Sequence, residues 1–165
     1  MKSLTIPKIL SEKEANDKMV NFQGNFHHSI DAKNRLSLPS RHRDELSMVG
    51  SNVLYITIGI DNCLNAFSKD QWDAYSNKLL ENSSVETREL QRTFFGNSVR
   101  VEIDPQGRFI LSEDLKKLAG LGTNVSLVGI GNMIEIWDTD IWKSKNENIC
   151  TNKEKLLDLY KQSGL

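Results

Sequence analysis

Two short stretches of this chain carry the same residue types at the same spacing. Asp31-Ala32-Lys33-Asn34-Arg35 and Asp104-Pro105-Gln106-Gly107-Arg108 both read D-x-x-x-R. Such a stretch has two uses. An Asp at the head of a turn accepts hydrogen bonds from backbone N–H groups two residues on, and the Arg can pair with it, so the motif can simply close a hairpin. Asp31, Asp104, Gly107 and Arg108 are the candidates for that structural role. Alternatively the first tip presents Lys33, Asn34 and Arg35 to a polyanion. Arg and Asn are the side chains that read guanine and adenine edges, and a two-stranded ribbon fits the DNA major groove.

Charge distribution favours the second use for the first stretch. Residues 27–43 hold Lys33, Arg35, Arg41 and Arg43 with Asp31 as the sole acid, a balance of +3 that leaves −4 for the rest of a chain whose total is −1. The equivalent window, 99–117, sets Arg100, Arg108, Lys116 and Lys117 against Glu102, Asp104, Glu113 and Asp114, and is neutral. The expectation is an electrostatic face on the first copy only. Arg35 is the leading base-reading candidate. Lys33, Arg41 and Arg43 are candidates for phosphate, and His28 could touch phosphate as well. A monomer with so few basic residues would bind DNA weakly, because phosphate contacts supply most of the non-specific affinity, so several copies acting together are expected.

Other chemistries find no support. No nucleophile–base–acid set or paired carboxylates form a recognisable catalytic motif, so no enzyme activity is expected. His27 and His28 are adjacent and point to opposite faces of a strand, and no third ligand accompanies them, so no metal is expected. Gly129-Ile130-Gly131 lacks the third glycine and following helix of a dinucleotide loop. Cys63 and Cys150 are far apart and form no CxxC, which fits a reducing cytoplasm. No cofactor and no small-molecule substrate is expected.

The two motifs must be positioned by a larger repeat. Thr57-Ile58-Gly59-Ile60 matches Leu127-Val128-Gly129-Ile130, and the stretch from Asn62 to Phe67 with Trp72 matches Asn132 to Trp137 with Trp142. The motifs are offset by 73 and the later matches by 70. Each unit reads strand, turn, strand, short helix, strand, strand, helix. Val99–Ile103 alternates as a half-buried strand does. Asp104-Pro105-Gln106-Gly107 has the residues of a type I turn, and Asn34 stands where Gly107 does because Asn tolerates a left-handed backbone. Ser112 caps a helix. A Trp72, Tyr75, Leu79 stripe marks one linking helix, and Ser83-x-x-Glu86 reads as the capping box of the next. The three tryptophans, Trp72, Trp137 and Trp142, are expected to pack rather than stack on bases. Leu156, Leu159 and Tyr160 share one face of a C-terminal helix, and that face is expected to pack on the protein.

At 165 residues, 18.8 kDa, 38% hydrophobic and a mean hydropathy of −0.44, the chain suits one or two small domains. No run approaches the ~20 apolar residues of a spanning helix. The expected fold class is mostly β with short helices (α+β), organised as a disordered N-terminal extension (1–21), a first unit (22–82), a linker helix and second unit (83–145) and a C-terminal helical tail (146–165).

These residues resemble a known family, the MraZ transcriptional regulators of the AbrB/MazE-like swapped-hairpin superfamily. The resemblance rests on Phe22-Gln23-Gly24, the run Ile30 to Pro39, Glu86, Arg88, Gln91, Arg92 and Gly96, the run Val101 to Arg108, Ala119-Gly120-Leu121, Val128-Gly129 and Glu135-Ile136-Trp137-Asp138. It covers about residues 22–143. It implies two tandem swapped-hairpin units related by pseudo-two-fold symmetry, assembled into a ring-shaped homo-oligomer, octamer or dodecamer. It also implies binding to double-stranded DNA, at short direct repeats in the promoter of the division and cell-wall gene cluster, with cytoplasmic and nucleoid localisation and no membrane. In that family the first D-x-x-x-R hairpin contacts DNA, which carries over to Lys33, Asn34 and Arg35 with Asp31 shaping the turn. Asn34 departs from the Gly usual in the family. The alternative is an antitoxin-like protein-interaction module.

Overall fold

The computed structural model describes residues 19–165; the expected extension over 1–21 lies, as far as residue 18, outside the described residues. In chain order the elements of the first unit are β1 (Phe22–Ser29), β2 (Arg35–Ser37), α1 (Ser40–Met48), β3 (Val53–Ile58), β4 (Leu64–Phe67) and α2 (Lys69–Leu80). Helix α3 (Val85–Gly96) leads into β5 (Val99–Glu102), β6 (Arg108–Ile110), α4 (Glu113–Leu118), β7 (Asn124–Gly131), β8 (Ile134–Asp138) and α5 (Thr139–Thr151), followed by α6 (Lys153–Gln162). The mixed α+β class and the two-copy order are as expected.

The strands are exchanged between the copies. A six-stranded antiparallel sheet runs β1-β7-β8-β4-β3-β5, and a separate two-stranded ribbon joins β2 to β6. The first strand of each unit therefore pairs with the third strand of the other: Phe26 lies opposite Leu127, and Val99 opposite Ile56. The pairings on the axis are self-symmetric. In the ribbon Arg35 faces Ile110 and Ser37 faces Arg108, which leaves Leu36 opposite Phe109 on the pseudo-two-fold; in the sheet, Asn65 opposite Glu135 plays that part.

Register corrects one match between the copies. Ile56 pairs with Ala66 and Val99, and Leu127 pairs with Ile136 and Phe26, so Ile56 corresponds to Leu127. The offset of 70 read from the glycines would instead equate Ile56 with Ser126. Burial decides between them. Ile56 and Leu127 both face the common core, whereas Ser126 lies on the opposite face, against His27 and Thr139. A slip of one residue exchanges the faces of a strand, so the apolar pair sets the register. The hairpin loop absorbs the difference. Gly59 N–H donates to the Cys63 carbonyl, while Ile130 N–H donates to that of Met133, one residue sooner.

Ribbon and sheet enclose one core. Leu36, Leu38, Phe109 and Leu111 from the ribbon and its flanks meet Leu54, Ile56, Val125, Leu127, Ile134 and Ile136 from the sheet. A second aromatic cluster forms where α2 and α3 cover β3 and β4. Trp72 stacks on Phe94 (5.0 Å between centroids) and on Tyr55 (5.3 Å). Trp137 packs against Trp142 at 6.1 Å. The tryptophans pack, as expected.

Two local expectations are corrected. Helix α3 is capped by Ser84, whose Oγ accepts the Thr87 N–H (3.1 Å), and not by a Ser83–Glu86 box; Asn82 Oδ1 takes the Ser84 N–H instead. Helix α6 does not bury its apolar face: Leu159 and Tyr160 are exposed and Leu156 is half-buried, with Leu157 exposed beside them. Among the described residues no helix is long and apolar enough to cross a membrane.

Because Phe109 sits on the axis of the shared core, Phe109→Ala is expected to cost roughly 3–5 kcal/mol. Its exposed neighbour in the same ribbon, Ile110→Ala, is expected to stay within about 0.5 kcal/mol. Urea unfolding of the two variants checks this, and equal costs would place the core elsewhere.

Candidate nucleic-acid interface

The two hairpin tips are built alike. Asn34 N–H donates to the Asp31 carbonyl (3.0 Å), and Gly107 N–H to that of Asp104 (2.9 Å). Asp31 Oδ1 accepts the backbone N–H groups of Lys33 and Arg35, each at 2.9 Å, while Oδ2 accepts Arg35 Nε at 2.7 Å. Asp104 does the same for Gln106 and Arg108, with the Nε contact longer at 3.4 Å. Each turn ends on a left-handed residue, Asn34 (φ 59°) and Gly107 (φ 80°). The Arg35 backbone N–H is the leading cause that holds the Asp31 carboxyl below its ordinary range, and the Arg108 N–H does so for Asp104.

This network fixes the side chains that remain available. Arg35 is half-buried and anchored through Nε; among the described residues nothing takes up its terminal Nη groups. Lys33 and Arg41 are exposed and, among the described residues, have no ion-pair partner.

Strand exchange redistributes the rest, and the expected single basic face over 27–43 is corrected. The ribbon is antiparallel, so the tips lie at its opposite ends, and the helix after each ribbon strand meets the tip of the other copy. Leu38 N–H donates to the Gly107 carbonyl, and Leu111 N–H to the Asn34 carbonyl, both at 2.8 Å. Arg43 therefore packs its guanidinium on Gly107, where any Cβ would collide with it, and its Nε is buried without a partner among the described residues. It does not join Lys33 and Arg35. At the first tip the neighbours are Glu113 and Lys116 of α4, and Lys116 Nζ donates to Asn34 Oδ1 at 3.1 Å.

His28 lies on the core side of β1 with Phe22 and Phe26 and is half-buried; burial, and then the charge of His27, lower its pKa. His27 instead points across to β7, Nδ1 lying 2.6 Å from Ser126 Oγ, which in turn lies 3.0 Å from Thr139 Oγ1. Two further residues shape the site without having stood out in the sequence as candidates for it. Lys116 could have been found by carrying Arg43 across the 73-residue offset. His42 is fully buried and packs edge-on to Phe22 (5.6 Å) and Phe26 (5.1 Å), with Nε2 3.3 Å from the Gln23 carbonyl. Its signal was its place one turn before Leu46, the other buried residue of α1.

Fold and tips together define a class: tandem swapped-hairpin proteins that offer a carboxylate–arginine turn at each end of a central ribbon. Comparison with known proteins gives the family. The family model described as "MraZ protein, putative antitoxin-like" matches twice, over residues 21–93 and 94–157. The chain belongs to the MraZ family. Relatives named transcriptional regulator MraZ include those of Syntrophomonas wolfei, 32% identical over 82% of this chain and 93% of the relative, and Alkaliphilus metalliredigens, 34% identical over 87% and 99%. The Pseudomonas aeruginosa relative is 41% identical over 72% of this chain and 81% of its own length.

The buried imidazole generates a pH prediction. Burial lowers the pKa of His42; the Gln23 carbonyl and Glu45 oppose this and Arg41 adds to it. Below about pH 6.5 the unfolded chain then binds more protons than the folded one, so stability present above that pH is lost as the pH falls. Melting temperatures measured from pH 7.5 to 5 should drop more for the native chain than for His42→Leu, which retains the parallel contributions of His28 and, toward pH 5, of the lowered carboxyls. Equal slopes would assign the acid sensitivity to other groups.

Proposed function

We propose that this chain is a sequence-specific DNA-binding transcription regulator that reads DNA with its first D-x-x-x-R hairpin. The observation that carries the reading is the state of Arg35: Nε is anchored on Asp31 at 2.7 Å and, among the described residues, nothing takes up the terminal Nη groups. An Arg held in this way is ready to make the bidentate contact to guanine O6 and N7 that is the commonest specific contact in the major groove. Exposed Lys33 beside it suits a phosphate. Arg41 is a further phosphate candidate on α1. Arg43 and His28 are weaker ones, since one is folded against Gly107 and the other faces the core. The names of the relatives support a role in transcription.

Few basic groups per chain make a weak footprint, and non-specific binding at this level has a Kd of roughly 10⁻⁴–10⁻⁶ M. Display of several copies on a ring raises avidity by about 10²–10⁴ without any new contact. The reading therefore includes a homo-oligomer; the family resemblance further implies that it is ring-like and acts on short direct repeats in the promoter of the division and cell-wall gene cluster, in the cytoplasm at the nucleoid. The second reading, an antitoxin-like protein-interaction module, draws on the exposed apolar face of α6.

Binding to a promoter fragment with tandem repeats, followed by fluorescence anisotropy across a salt series, tests the first reading. Arg35→Ala is expected to lose roughly 5- to 150-fold and relax sequence preference. Lys33→Ala should weaken binding to all sequences and reduce the salt slope by about 1. Arg108→Ala, which removes the same turn contact from the second tip, should lower the melting temperature and leave DNA preference intact. Native-like binding by Arg35→Ala overturns the site, and a monomer by light scattering at micromolar concentration overturns the avidity argument.

A further inference from the structure

The two tips differ in one paired respect. Leu36 and Phe109 mark the pseudo-two-fold, so Asn34 corresponds to Gly107, and Lys116 on α4 to Arg43 on α1. At the second tip the longer Arg43 lies over a residue with no side chain. At the first tip the shorter Lys116 reaches a side chain that is present. Its Nζ sits 3.1 Å from Asn34 Oδ1 and 3.3 Å from Glu113 Oε1, and the lysine side chain is only 19% exposed. Asn34 is also the leading cause that holds the Glu113 carboxyl below its ordinary value, followed by Lys116. The amide oxygen is thus engaged by α4 through Lys116, whose ammonium Glu113 holds in turn.

That engagement bears on what Asn34 can do. An Asn reads adenine by offering Oδ1 and Nδ2 together to N6 and N7. Here Oδ1 carries the lysine, and the lysine is itself held by Glu113. We infer that Lys116 and Glu113 are positioning residues for the first hairpin: Lys116, held by Glu113, grips Asn34 as a tether, so the second unit sets the pose of the tip and Asn34 itself does not read bases. Lys33 and Arg35 are left as the contacting pair. The inference rests on the reading of this hairpin as the DNA contact. It also gives the difference from Gly107 a physical use: Asn keeps the left-handed turn that Gly allows and adds a handle.

A double-mutant cycle with Lys116→Met and Asn34→Gly tests it, read in two ways. Asn34→Gly retains the turn geometry, and Lys116→Met retains the packing stem. On the repeat-containing fragment each single variant should weaken binding by a similar factor, roughly three- to tenfold, and the double should be no weaker than either single. Salt slope and base preference should stay native, and Lys116→Arg, which keeps a donor, should restore binding. In the free protein, hydrogen exchange at the Asn34 and Leu111 amides should quicken equally in both singles and no further in the double. Multiplicative losses, altered preference at one base pair in Asn34→Gly alone, or a salt slope lowered by about 0.9 in Lys116→Met would overturn the tether. Unchanged exchange would overturn it whatever DNA does. Quickened exchange with native DNA binding by Lys33→Ala and Arg35→Ala would keep the tether and remove the DNA reading.

Discussion

Strand exchange between two copies of one short unit is the constraint on which the other features of this molecule depend. The first strand of each copy finds its hydrogen-bonding partner in the third strand of the other, so neither copy owns a complete sheet. A unit of about 60 residues is marginal alone because too little of its surface is buried on folding. Exchange solves this by making one core from both. The axial pair Leu36 and Phe109 closes that core from the ribbon side, and both are almost fully buried. On the sheet side the axis falls on a polar pair, Asn65 and Glu135, where β4 and β8 meet.

The same exchange decides what surrounds each hairpin tip. A tip consists of little more than a carboxylate that accepts two backbone N–H groups and an arginine. That arrangement is self-sufficient as a turn but says nothing about orientation. Orientation comes from the segment between ribbon strand and helix in the other copy, through the Leu38–Gly107 and Leu111–Asn34 backbone bonds, and from the helix side chains beside them. Charges that are adjacent in sequence are thereby separated in space, and Arg43 ends against Gly107 instead of beside Arg35. The +3 of residues 27–43 was a property of the chain and not of a face.

Much of the fold was legible because it is local. The turns follow from Asp at their head and Asn34 or Gly107 at their left-handed end, and the Ser112 cap from its place before an acidic first turn. The aromatic stripe on α2 follows from spacing. What was not legible is what non-local packing decides. The one-residue shift that aligns Ile56 with Leu127 depends on which residues are buried, since a slip of one flips a strand's faces. The choice of Ser84 over Ser83 depends on Asn82 closing the turn before the helix. His42 reads as one more polar residue in a basic run until Phe22 and Phe26 close over it. The exposed face of α6 has an apolar pattern like that of a packed helix, and pattern alone does not say which surface covers it.

The turn anchor of Arg35 was legible as one of two uses and not as a state. From sequence, pairing with Asp31 and contact with DNA are rival uses of one side chain. In the structure they are compatible, because the pairing takes Nε and leaves the Nη groups open. A side chain fixed in this way loses less entropy on binding than a free one, since its rotamers are already restricted. In the proposed reading, the structural use of the motif then prepares the functional one. The second tip sharpens the point: its Arg108 has the same anchor, but at 3.4 Å, with Arg43 seated on the turn beside it. One carboxylate–arginine design, duplicated, has acquired two different surroundings: Lys116 bonded to Asn34 at the first tip, and Arg43 seated on Gly107 at the second.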